Sequence, residues 1–153
     1  MLHSASRRGY EPWSTGSAVF FVGQEALSGR LPVAVRCRLG SQKPVVALLD
    51  TAAAWSVIDG STAELLEGHL EDLESPIRLS TRHGPQDGKL HRLEVELLAD
   101  PDAGSDLSVD ATVLVIPEWP GPVVLGFHGL LEHVRFALDP DDDRPIFHFG
   151  PRP

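Results

Sequence analysis

Cysteine is almost absent: Cys37 is the single one in 153 residues. No disulfide can close within the chain, and this usage fits a reducing, cytoplasmic setting. Positive charge is also scarce. Thirteen Lys and Arg stand against 22 Asp and Glu, a net charge of −9, and no basic stripe is present to neutralise phosphates. Nucleic acid is excluded as a partner and an anionic membrane surface is disfavoured. Near the N-terminus the apolar run Ala18 to Val22 follows Arg7 and Arg8, but it is too short for a signal-peptide core or a membrane span. Several chemical signatures are missing as well. There is no G-x-G-x-x-G, no P-loop, and no G-x-S-x-G elbow that would make Ser56 a nucleophile. His128 and His133 lack zinc-site spacing, and Asp139, Asp141, Asp142 and Asp143 lack the Gly and closing Glu of an EF-hand loop. No cofactor and no metal are expected.

What is present is a chain that is 42% hydrophobic, with alternating apolar patterns that predict a mainly β globular domain with one or two short helices. A loose arm is expected over residues 1–16 and one domain over 17–150. The centre of the pattern is Pro44 to Ile58. Val45 to Leu49 reads as a buried strand, and Asp50 arrives where it stops. A carboxylate flanked by Leu49 and by Thr51, Ala52, Ala53 and Ala54 is costly to bury unpaired, so it needs a partner or a chemical task. The small residues leave room for a ligand to approach it, and Trp55 to Ile58 resumes a strand-like pattern.

Around this stretch the other elements fall in order. Ala18 to Val22 and Leu31 to Leu39 read as strands, the second with Arg36 and Arg38 on its wet face, and Gly40 to Pro44 as a turn. Asp59 or Ser61 can cap a helix over Thr62 to Glu67, with Ala63, Leu65 and Leu66 facing inward. Ile77 to Leu98 reads as a hairpin whose tip spans Arg82 to Lys89, with Gly84 at its apex. Leu107 to Val115 alternates as a strand. Pro117 to Pro122 is stiffened by three prolines, and its Trp119 either lines a groove or packs beneath it. A short helix at Leu130 to His133 and a hairpin of Arg135 to Leu138 with Pro145 to Phe149 complete the chain.

Asp50, Thr51, Ala53, Ser56 and Val57, behind two aliphatics, resemble the active-site loop of retropepsin-like aspartic proteases. Val123, Val124, Leu125 and Gly126, then a short helix, are similar to the second motif of that family. The resemblance covers Leu31 to Phe149 and implies a single-lobe acid-protease barrel. One Asp-Thr loop in a chain too short for the two-lobed form implies a homodimer, with one Asp50 from each subunit activating water against a peptide bond of a peptide or protein substrate. It also implies that Thr51 bonds the partner subunit's backbone, and that a flap carrying His83, Gly84 and Pro85 covers the substrate. Ala52 departs from the family's glycine; its methyl is expected to narrow the groove and to resist positive φ. Ala54 and Phe127 stand where retroviral members carry an Asp–Arg ion pair. The other readings are a catalytically weak or inactive peptide-binding and dimerisation module on the same fold, and a plain β-rich structural domain.

Overall fold

The computed structural model describes residues 3–6, 9–23 and 32–153. Its elements are β1 (His3–Ser6), β2 (Gly9–Pro12), β3 (Gly16–Val19), β4 (Phe21–Val22), β5 (Val33–Leu39), β6 (Val45–Leu49), β7 (Ser56–Asp59), α1 (Gly60–Leu65), β8 (Glu71–Thr81), β9 (Gly84–Leu97), β10 (Leu107–Ile116), β11 (Val124–Leu125), β12 (Val134–Asp139) and β13 (Ile146–Pro151). A 3-10 turn, Leu131–His133, precedes β12. The mainly β class expected from the alternation is the class observed. Leu31, expected to begin the second strand, lies outside the described residues.

The main sheet runs β4-β5-β6-β11-β7-β10-β9-β8, and β5 also pairs with β9. That extra pairing, Cys37 opposite Leu97 and Leu39 opposite Val95, closes β5, β6, β11, β7, β10 and β9 into a barrel, which removes the free edges of those strands. Strand alternation then decides what is inside. Val35, Cys37 and Leu39 are buried with Ala47, Ile58, Leu93, Val95, Val113 and Leu125 in one core. Each fully buried Val or Leu of this kind stabilises by about 1.5–3 kcal/mol. The opposite face of β5 sends Arg36 to Asp100 and Arg38 to Glu96.

A second apolar layer lies between the barrel and the β8–β9 hairpin. Val57, Leu90, Leu114, Ile116 and Val124 are buried there, with Ile77, Leu79 and Trp119 packed against them. Strand β9 pairs with β10 from Leu97 back to Lys89, so residues 84–88 pair with β8 alone. The hairpin therefore ends in a free arm. Its tip is tighter than the sequence suggested: Thr81 pairs with Gly84, leaving Arg82 and His83 as the turn, and Pro85 to Lys89 belong to β9. Gly84, at φ +90°, supplies the backbone conformation such a turn needs. The Thr81 hydroxyl donates to the Gly84 carbonyl at 2.8 Å and accepts from His83 N–H at 3.1 Å.

Three further expectations are corrected. The run Ala18 to Val22 breaks at Phe20: β3 joins β13 while β4 joins β5. α1 is capped by the Asp59 carboxylate on the Thr62 N–H at 2.8 Å; Leu66, just past its end, is fully buried but Leu65 within it is 69% exposed, because a six-residue helix turns only one narrow stripe inward. Residues 13–16, placed in the loose arm, pack on β13, with Ser14 and Gly16 buried and Thr15 N–H donating to the Phe149 carbonyl at 2.9 Å. The N-terminal residues before them include the paired strands β1 and β2.

Candidate active site

The barrel positions Asp50 by an insertion. Strand β11, far along the chain, lies between β6 and β7, parallel to the first and antiparallel to the second. The loop from Asp50 to Trp55 must therefore pass over the end of β11, at Gly126. The Asp50 N–H donates to the Leu125 carbonyl at 3.0 Å, and the Phe127 and His128 N–H groups donate to the Ala53 and Ala54 carbonyls at 2.9 and 2.8 Å. Gly126 is buried where the two segments meet. A Cβ there would stand 2.3 Å from the Trp55 carbonyl carbon, so no side chain fits. Its N–H donates to the Ser56 hydroxyl at 2.9 Å, and Ser56 is only 1% exposed. The two motifs separated by some 70 residues in the sequence are one structural unit.

Asp50 closes its own loop. Its Oδ1 accepts from the Ala52 N–H at 2.9 Å and from the Ala53 N–H at 3.2 Å. Two such donors fix its rotamer. Oδ2 accepts no hydrogen bond among the described residues, and the side chain is exposed. One oxygen is anchored and the other is available. Ala52 carries no strain: Glu74 and Asp102 are the only non-glycine residues with positive φ among those described. The expected backbone cost of an alanine there does not arise, and what remains is its methyl in the cleft.

A cleft of about 800 Å3 opens above the loop. Asp50, Ala52 and Ala53 form its floor with Leu48 and Val124, while Leu79, Ser80, Thr81 and Arg82 line it from the hairpin and Trp119 from the proline-rich loop. The expected hairpin residues His83, Gly84 and Pro85 do not line it. They sit just beyond those that do, because the turn falls at Arg82 and His83. Thr51 is exposed, outside the lining. Leu125 is buried and acts through its carbonyl. Trp119 lines the cleft, the first of the two roles open to it. Its Nε1–H donates to the Pro122 carbonyl at 2.8 Å, and the indole meets the His83 ring edge-on at a centroid distance of 5.4 Å. Sequence reasoning named Ser56 in the motif and Arg82 in the hairpin tip but missed that the Ser56 hydroxyl accepts from the Gly126 N–H and that Arg82 lines the cleft; neither contact has a local signal.

Beside the loop, Phe127 is 44% exposed, and the His128 ring meets Trp55 at a tilt and Phe127 edge-on, at centroid distances of 5.4 and 5.5 Å. Glu132 accepts from the Gly129 N–H at 2.6 Å. That bond chiefly holds its carboxyl below the usual range; desolvation is the next influence and opposes it, and the nearby His133, His128 and Arg152 add smaller pulls downward.

The aspartyl protease family profile matches residues 35–128, more than half of the chain, from the barrel's β5 to the end of the second motif. The chain belongs to the aspartyl protease family. Among solved structures, a retropepsin-like aspartic protease from Rickettsia conorii matches with a TM-score of 0.52 and 18% identity, over 90% of this chain and 95% of that one. At that identity the likeness is one of fold. No curated protein matches the chain. The retropepsin-like barrel explains why β11 is inserted where it is: it brings the second motif beneath the aspartate of the first.

Proposed function

We propose that the chain is an aspartic endopeptidase that works as a homodimer, with one Asp50 from each copy. The observation that carries this reading is the Asp50 carboxylate, anchored through Oδ1 and with Oδ2 unengaged, on the floor of a cleft sized for a peptide. Two such carboxylates facing each other across a two-fold axis cannot both ionise at close range, so the pair holds one proton. The ionised partner takes a proton from a water, which attacks the peptide carbonyl. The protonated partner hydrogen-bonds the carbonyl oxygen and then supplies a proton to the leaving nitrogen. Ala53 has no hydroxyl to stabilise the charged pair, which favours a less acidic working range.

The exposed Phe127 beside the Asp50 loop supports a partner copy at that face, since a two-fold axis near Asp50 carries that surface into contact with its own copy. Thr51, exposed on the same loop, is the group placed to bond the partner subunit's backbone. Single-cysteine usage favours a cytoplasmic location.

The test is cleavage of a broad peptide library between about pH 4 and 7, where a shared-proton carboxylate pair operates. The natural protein is expected to cut, Asp50→Asn to lose all cutting, and Ala52→Gly to cut faster by removing the methyl from the cleft. Peptide binding without cleavage by the natural protein and by Ala52→Gly would move the reading to a peptide-binding and dimerisation module.

A further inference from the structure

We infer that Arg82 selects peptides that present a carboxylate next to the residue seated in the apolar part of the cleft. The inference rests on the cleft being a peptide site and adds the chemistry of the peptide. The lining is apolar or hydroxyl-bearing except for two charged groups, Asp50 on the floor and Arg82 on the hairpin. Arg36, Arg38, Arg78, Arg92 and Arg144 each reach a carboxylate. Arg82, like Arg135 and Arg152, reaches none among the described residues, although acidic side chains outnumber basic ones 22 to 13; of these three only Arg82 lines the cleft. Its Nε–H donates to His83 Nε2 at 3.3 Å, which leaves both terminal nitrogens of the guanidinium unused.

The position of Arg82 is held from two sides. Thr81 closes the turn through Gly84 and His83, and His83 rests on Trp119, itself tied to Pro122. A guanidinium so placed offers a planar pair of donors, the geometry a carboxylate takes up. The chain's net charge of −9 opposes an acidic ligand only at long range, because salt at physiological strength screens beyond about 8 Å. The contact at Arg82 is local and survives that screening better. The carboxylate is either a Glu or Asp side chain or the C-terminus of the peptide.

The experiment is fluorescence anisotropy with the full-length Asp50→Asn protein, which binds without cutting. Labelled peptides share a central Leu, carry Glu or Gln at each neighbouring position in turn, and end in a free carboxylate or an amide. A carboxylate is expected to bind about fivefold more tightly than its amide, as one solvent-accessible charge-assisted contact supplies. The preference should shrink with added salt, vanish in Arg82→Gln, and remain in Lys89→Gln. Preference for Glu identifies a side chain, and preference for the free end identifies the terminus. Equal binding of acid and amide, or a preference that persists in Arg82→Gln, overturns the inference. Binding of no peptide overturns it together with the peptide-site reading. Acid preference in a natural protein that cuts nothing supports the inference and overturns hydrolysis alone.

Discussion

At the floor of the cleft the Asp50 loop exchanges backbone hydrogen bonds with the segment after β11 at Leu125, Ala53 and Ala54, and Gly126 fills the crossing so closely that a methyl would overlap Trp55. At the roof, residues 84–88 of the hairpin pair only with β8, and the turn touches the body of the molecule through one ring contact, His83 on Trp119. Floor and roof are both β structure. They differ in how many independent restraints fix each residue. The floor holds a carboxylate in one orientation, the pre-organisation that the proposed hydrolysis calls for. The roof is tied down by the ring contact at its turn and by Ile77 and Leu79 behind it, fewer restraints than the floor has, which leaves its tip the looser of the two.

The contrast can be broken most severely at Gly126. Gly126→Ala puts a Cβ against backbone that cannot retreat, and the expected outcome is loss of about 3 kcal/mol or more, read as failure to fold or a large fall in the denaturant midpoint. Ser56→Ala is gentler. It leaves the buried Gly126 N–H without its acceptor, an expected loss of about 1–3 kcal/mol in the same measurement. The smallest effect belongs to the roof. His83→Ala removes the ring that rests on Trp119 and with it about 0.5–1.5 kcal/mol of local order, while Trp119 keeps its packing on the layer beneath. Amide exchange should quicken at residues 79–88 while β5, β6 and β11 keep their protection. Equal quickening in all of these strands would show that the roof is no looser than the floor.

The floor was legible in the sequence to the extent that it is local. The Val45 to Leu49 run and the Asp that ends it predict β6 and its terminus from composition, although the strand is not the buried one expected, since only Ala47 is buried and Val46 faces solvent; Asp59 announces α1 by its capping chemistry. The seam between Ser56 and Gly126 was not legible, because it joins residues 70 apart and neither carries a period that points to the other. Closure of the barrel through β5 and β9 was hidden for the same reason. The roof was placed correctly as a hairpin but its turn fell earlier than its glycines and proline suggested. Pairing with β8 continues through Pro85 and Gly88, which an edge region tolerates where a central strand would not. Leu65 shows the reverse error: an apolar residue in a short helix was assigned inward by type, and the helix axis turned it out.

The central claim is that the site is half of a pair, and it is tested most directly by the specific activity of the natural protein across a dilution series alongside sedimentation at the same concentrations. Activity per chain is expected to rise and fall with the dimeric fraction, near twice 16.6 kDa, and to disappear where only single chains remain. Cleavage that stays constant per chain when the protein sediments entirely as a monomer would contradict the account.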